Sequence, residues 1–329
     1  MCSDISEIDS VISDAKRQID QVREEIGKVV IGQKYLIDRM LLTLLVDGHI
    51  LLEGVPGLAK TLAVNTFAKV LASDFKRIQF TPDLLPADLI GTSVYNPKEG
   101  NFSVKKGPVF SNILLGDEIN RAPPKVQSAL LEVMQEKQVT IQGETFHVGK
   151  PFMVLATQNP IEQEGTYPLP EAQTDRFMMK VKIDYPSKDE EREIIHRMGT
   201  LTEKPKIKQI MSNEDIEKAK RYVREIFVDE KITDYILDII FSTRHPEKFG
   251  VKIEGLLQFG ASPRASIHLK MAAQGHAFLS GRAYVTPHDV KSVVHDVLRH
   301  RLRRTYEAEA EEISSDEIID RILETIIVP

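Results

Sequence analysis

A single cysteine, Cys2, stands among 329 residues, so no disulfide can close within the chain and no thiolate cluster can hold a metal. A reducing compartment fits that composition. Long apolar runs are missing too: none approaches the ~20 residues that cross a bilayer as a helix. The opening residues carry Asp4, Glu7, Asp9 and Asp14 in place of the basic and apolar regions of a secretory leader. The expected location is the cytoplasm. Positive charge is not in surplus, since 43 Lys and Arg against 49 Asp and Glu give a formal net charge of −6. General affinity for nucleic acid or an anionic membrane, which needs a basic face, is therefore not expected. The chain has no internal repeat and no low-complexity segment. Its nine histidines show no metal-ligand spacing, and His295 and His300 read as surface or packing residues.

What remains is an ordinary globular composition, 42% hydrophobic and 28% charged, with length for a core of about 150–200 residues and a second unit. Residues 1–47 read as helical, interrupted at Val29-Val30-Ile31-Gly32-Gln33, with a second helix over 34–46. Short, nearly all-apolar runs at 50–52, 77–80, 113–115, 152–156 and 178–183 then alternate with helical stretches. That is the βα alternation of a doubly wound parallel sheet, an α/β fold. Turn-rich hairpins are expected at 93–104 and 139–148, the first around Asn96-Pro97-Lys98-Glu99-Gly100-Asn101. Tyr185-Pro186-Ser187 marks a break, with Ser187 as an N-cap of a helix over 188–198. Beyond it only helical patterns appear, at 213–227, 231–243, 263–280, 287–300 and 316–327. The division is thus a core over 1–186 and an all-helical unit over 187–329, with 200–211 a linker or exposed loop.

Two stretches carry the chemistry. Gly54-Val55-Pro56-Gly57-Leu58-Ala59-Lys60-Thr61 follows the strand ending at Leu52 and opens a helix at Leu62. A glycine-rich turn into a helix N-terminus offers unpaired N–H groups to phosphate, Lys60 can reach the β- and γ-phosphates, and Thr61 can hold Mg²⁺. The strict pattern has glycine before the lysine. Alanine at position 59 implies ordinary right-handed angles there, with the special turn at Gly57. Ile113-Leu114-Leu115-Gly116-Asp117-Glu118 ends a buried strand on two carboxylates. Asp117 would complete the metal site and Glu118 would orient or deprotonate an attacking water.

Further elements cluster after later strands. In Thr157-Gln158-Asn159-Pro160 the Asn159 amide can bind the γ-phosphate and the attacking water. In Thr174-Asp175-Arg176-Phe177, Arg176 either pairs with Asp175 or supplies charge to a neighbouring subunit's transition state. Gly260-Ala261-Ser262-Pro263-Arg264 reads as a helix start with a serine N-cap. Arg264 in that first turn is electrostatically misplaced unless it meets an anion. The basic run Arg299-His300-Arg301-Leu302-Arg303-Arg304 reads as a solvated helix end.

Assembled, these segments resemble the AAA+ ATPases and, among them, the MoxR family, over nearly the whole chain from Val30-Ile31-Gly32-Gln33 to Ser262-Pro263-Arg264. The motif Gly116-Asp117-Glu118-Ile119-Asn120-Arg121-Ala122-Pro123-Pro124 is long and specific, and alanine at position 59 is usual in that family. The resemblance implies a core with a helix-2 insert near 93–104 and a C-terminal helical lid. It implies an ATP/ADP site from Gly54 to Leu62 with Ile31 and Gly32, completed by Lys60, Thr61, Asp117, Glu118, Asn159 as sensor 1 and Arg264 as sensor 2. ATP–Mg²⁺ is expected between core and lid, with Arg176 as an arginine finger from the adjacent subunit of a ring, expected to be a hexamer. Gly116 departs mildly from the alanine expected before Asp117. Such proteins are thought to act as chaperone-like remodellers of a protein client, often with a partner bearing a von Willebrand factor A domain. A DNA-acting AAA+ machine, a magnesium-chelatase-like subunit and a slowly hydrolysing nucleotide switch are the other readings.

Overall fold

The computed structural model describes residues 5–55, 57–98, 100–159, 166–199 and 205–329. Pro56 of the phosphate-loop motif, Pro160, Glu99 of the first hairpin and residues 200–204 of the expected linker lie outside the described residues.

The five apolar runs form one parallel sheet: β1 (Ile50–Glu53), β2 (Phe75–Gln79), β3 (Ile113–Asp117), β4 (Met153–Gln158) and β5 (Met179–Lys182), in the order β2-β3-β4-β1-β5. Because side chains alternate along a strand, one set faces each side. Ile50, Leu52, Ile113, Leu115, Met153 and Leu155 join one apolar cluster, whereas Leu51, Leu114, Val154 and Ala156 join a second with Phe80, Val126 and Leu130. Burial on both faces is why the central strands β1, β3 and β4 lack polar alternation, whereas the edge strands β2 and β5 carry Lys76, Arg77, Lys180 and Lys182. Both expected hairpins form, pairing Gly91–Asn96 with Asn101–Lys106 and Gln138–Ile141 with Glu144–His147. Ser187 caps the helix Lys188–Met198, accepting from the Glu190 N–H, while the Glu190 carboxylate accepts from Ser187.

Of the C-terminal helices Asn213–Glu225, Glu230–Ser242, Pro263–Leu279, Pro287–Leu298 and Ser315–Thr325, Pro287–Leu298 meets β5, and Asn213–Glu225 and Pro263–Leu279 meet the helix Lys34–Leu45; the unit shares the first face's cluster through Leu269, Ala272, Val293 and Val297. A Cβ on Gly275 would lie 3.1 Å from the side chains of Leu42, in the helix Lys34–Leu45, and Val46, its C-cap, so the lid helix presses its backbone directly on those side chains.

Two expectations about this unit need correcting. It is not all-helical, because Leu257–Phe259 pairs antiparallel with Arg303–Arg304; strands of three and two residues are too short to leave a periodicity. Nor is the basic run a solvated end. Arg299 is held by Asp296 and Asp316, and the Arg301 side chain, 1% exposed, is held by Asp175. Asp296 is one helical turn away, but Asp316 and Asp175 come from elsewhere in the chain, so spacing within the run could not disclose them.

Candidate functional site

At the carboxyl ends of the parallel strands, where open α/β sheets bind ligands, a cavity of about 330 Å³ is lined by Gly54, Gly57, Leu58, Ala59, Lys60, Thr61, Leu62, Arg77, Gln79, Asp117, Glu118, Thr157 and Asn159. The phosphate-loop motif, the two carboxylates and the strand-end asparagine thus meet in one place. Gly57 has φ +91° with open space where a Cβ would stand, so the special turn falls there as expected. Gly54 is required for another reason: a Cβ would lie 2.9 Å from the Ile183 carbonyl oxygen.

Ala59 contradicts its expectation. It caps the helix Lys60–Val70 with φ 55° and ψ 21°, a left-handed conformation that costs a residue with a Cβ about 1–2 kcal/mol. The strain falls at the turn from the phosphate loop into the helix, beside the candidate site, where stored backbone strain is common. Lys60 Nζ donates to the Gly54 carbonyl at 2.6 Å, which folds the lysine back over its own loop. Burial lowers its pKa, and the charges of Asp117 and Glu118 offset this in part.

Every residue of β3 is buried, ending at Asp117. A Cβ on Gly116 would lie 2.8 Å from the Phe80 ring, which accounts for the glycine found where alanine was expected. Glu118 adopts φ 58°, ψ 51°, turning its side chain out of the strand ladder. Its backbone N–H donates to Thr157 Oγ1 at 2.9 Å, and that hydroxyl donates to Asp117 Oδ1 at 3.3 Å. Thr157 on β4 therefore registers both carboxylates against the neighbouring strand. The Glu118 carboxylate accepts from Gln79 Nε2 at 2.7 Å and from Arg121 Nη1 at 3.0 Å. Asp117 Oδ2 accepts from Arg77 Nε at 2.6 Å. Arg77, Gln79, Arg121 and Thr157 went unmarked by sequence reasoning; the signal that could have found them is polarity at the end of an otherwise buried sheet.

The donor set fits the groups the motifs imply. Thr61 and Asp117 supply the hard oxygens that Mg²⁺ takes, and the glycine turn before a helix N-terminus supplies a phosphate cradle.

Arg176, Arg264, Ile31 and Gly32 are not brought into this cavity. Ile31 and Gly32 line a separate pocket with Lys34, Glu190 and Glu193. Arg176 and Arg264 share a small cavity of about 170 Å³ with His49, Met134 and His268. Among the described residues the lid lends none to the lining of the phosphate-loop cavity, so the expected contact of Arg264 with ATP of the same chain has no counterpart in this geometry.

What Arg264 meets instead is Asp175. That carboxylate accepts from Ser262 Oγ at 3.0 Å, Arg264 Nη1 at 2.9 Å and Arg301 Nε at 2.8 Å. Ser262 keeps the N-cap position but makes no side-chain cap bond. Burial would raise the Asp175 pKa, yet the Arg301 charge and the three hydrogen bonds outweigh it and hold the group below the ordinary carboxylate range. Asp175 is thus the anion that gives the misplaced cation its reason. Arg176, next in the chain, has no ion-pair partner among the described residues, so the alternative of an Arg176–Asp175 pair is not realised.

Comparison with known proteins agrees with this geometry. Residues 49–179 match the family described as ATPase family associated with various cellular activities (AAA), and residues 253–322 match the AAA lid domain. The chain is 53% identical to the chaperone MoxR1 of Mycobacterium tuberculosis over 93% of this chain and 81% of that one. It is 31% identical to the protein MoxR of Paracoccus denitrificans over 98% and 99% of the two. A crystal structure of a candidate ATPase from Cytophaga hutchinsonii superposes with a TM-score of 0.92 at 52% identity, covering 97% of each chain. No helix among the described residues is long and apolar enough to cross a membrane.

Proposed function

This chain belongs to the MoxR family of AAA+ ATPases, and from that premise we propose that it hydrolyses ATP within a ring of identical subunits to remodel or mature a protein partner. The single observation behind the ring is the separation of the charged groups: Lys60, Thr61, Asp117, Glu118 and Asn159 share one cavity, while Arg176 and Arg264 line another. A cation that serves the phosphates from outside its own subunit needs a neighbour.

In this reading the N–H groups from Gly57 to Thr61 and the Lys60 ammonium hold the phosphates of ATP. Thr61 and Asp117 would hold Mg²⁺, which would supply charge neutralisation on the phosphate oxygens. Asn159 and Glu118 orient a water; its oxygen forms the new bond to the γ-phosphorus as the bond to the β-bridging oxygen breaks, and Glu118 accepts the proton. Gln79 and Arg121 fix the Glu118 carboxylate beforehand, the positioning that phosphoryl transfer depends on. Arg176 of the adjacent subunit stabilises the developing charge. The hairpins at Gly91–Lys106 and Gln138–His147 are candidate partner contacts, and a protein with a von Willebrand factor A domain is the partner to seek. A core over 1–186, a lid over 187–329, a hexameric ring and a cytoplasmic location complete the reading.

ATP turnover measured against protein concentration, with oligomer mass followed in parallel, tests it for wild type and Arg176→Ala. Turnover per subunit is expected to rise as rings assemble and to vanish in the variant. Concentration-independent turnover insensitive to Arg176 would mean that each subunit works alone.

A further inference from the structure

Arg77 has no part in the mechanism above, yet it holds the carboxylate that the mechanism gives to the metal. Its Nε donates to Asp117 Oδ2 at 2.6 Å, while the other oxygen, Oδ1, faces the Thr157 hydroxyl. The same guanidinium donates through Nη2 to Gln79 Oε1 at 3.2 Å, and Gln79 donates in turn to Glu118. Arg77 and Gln79 stand two residues apart on β2, hence on one face of that edge strand, and both line the phosphate-loop cavity. The Arg77 side chain remains 49% exposed. Its guanidinium can therefore leave Asp117 for water without being buried elsewhere.

We propose that Arg77 competes with Mg²⁺ for Asp117, so that metal-bound nucleotide is held only as the guanidinium gives way. The inference rests on the assignment of this cavity as the ATP–Mg²⁺ site. Mg²⁺ demands near-octahedral oxygen ligation and sheds water reluctantly. A guanidinium on the same carboxylate takes up an acceptor position and repels a dication. Nucleotide without metal makes no demand on Asp117, so Arg77 sets the metal requirement of binding and leaves metal-free affinity alone.

The test is the affinity of a fluorescent ADP, measured in EDTA and across a Mg²⁺ series, for wild type, Arg77→Met and Arg77→Lys. Equal affinity in EDTA is expected for all three and certifies that the variants are folded. The Mg²⁺ concentration giving half of the metal-dependent gain is expected to fall about fivefold in Arg77→Met, as suits loss of a half-exposed ion pair, and less in Arg77→Lys. An unchanged or raised midpoint overturns the competition. So does affinity already lost in EDTA, which would make Arg77 a phosphate ligand. Lys60→Ala separates this failure from that of the site itself. If Lys60→Ala binds ADP as wild type does, the site assignment falls and the competition with it. If Lys60→Ala loses binding while the Arg77→Met midpoint stays put, only the competition falls.

Discussion

Replacing Asp175 by asparagine removes one charge from a clasp that joins the lid to the segment entering β5, and the structure says how the loss divides. Arg301 is the expensive arm: its side chain is 1% exposed, against 17% for Asp175. Breaking a buried pair costs about 3–5 kcal/mol because a charge is left without its counter-ion. Here the guanidinium keeps other acceptors, namely the carbonyls of Met178, Asp175 and Phe177 and the His268 ring nitrogen. The low end, about 3 kcal/mol, is therefore expected. The Arg264 arm is 41% exposed and contributes under about 1 kcal/mol after solvent screening. Thermal unfolding at neutral pH reads the difference as a fall of roughly 5–10 °C for Asp175→Asn and a few degrees at most for Arg264→Ala. The folded-state pKa of Asp175 is depressed from its ordinary 3.8, so its contribution is full above that value and is lost as pH falls through the depressed one. The gap between wild type and Asp175→Asn should accordingly hold constant from pH 8 to 5 and close only below about pH 4. Nucleotide affinity of the unassembled subunit should stay as in wild type, since no member of the clasp lines its own phosphate-loop cavity. A loss below 1 kcal/mol, or equal losses for Asp175→Asn and Arg264→Ala, would refute the division.

Lys60→Ala should abolish nucleotide binding, whereas Glu118→Gln should bind as wild type does and fail to turn over; normal turnover in Glu118→Gln would sink its assignment as the base. His49, buried between the Met134 carbonyl and the Val154 N–H, has its pKa lowered by that burial from 6.5 to about 4. The unfolded chain then takes up a proton that the folded one refuses, so stability should drop by roughly 3 kcal/mol as pH falls from 6.5 to 4. His49→Gln should flatten part of that slope in urea titrations, and an unaltered slope would count against it. Gly116→Ala should cost about 1–3 kcal/mol by overpacking against Phe80, visible as a lower urea midpoint with unchanged m; no loss would show that the ring moves aside.

Much of this was legible because it is local. The three central strands declare themselves by apolar runs that only a sheet covered on both sides tolerates, and the phosphate loop by a turn whose residues are contiguous. Ser187 capping its helix is a signal confined to four residues. Legibility failed where the partner is remote. Asp175 is separated from Arg264 and Arg301 by 89 and 126 positions, so a clasp of three hydrogen bonds looked like one displaced cation and one basic tail. Ala59 was misjudged for the opposite reason: a rule of local sterics gave way to the loop's need to aim its N–H groups. Arg77 and Gln79 were passed over because their strand was read with the apolar runs and its polar residues were given no role.

The contact between Gly275 and the helix of Leu42 and Val46, within an apolar cluster that runs unbroken from sheet to lid, has a mechanical consequence. Two bodies joined that way cannot swing on a hinge without opening several layers of packed side chains. What they can do is slide by fractions of a helix pitch, the shear motion open to close-packed interfaces. In the proposed ring, a change at the phosphate loop would then leave each subunit nearly rigid and show up as a tilt of the whole plate against its neighbour. On that view an added methyl at Gly275 would act as a wedge, prying helix from helix and loosening the plate far from any nucleotide.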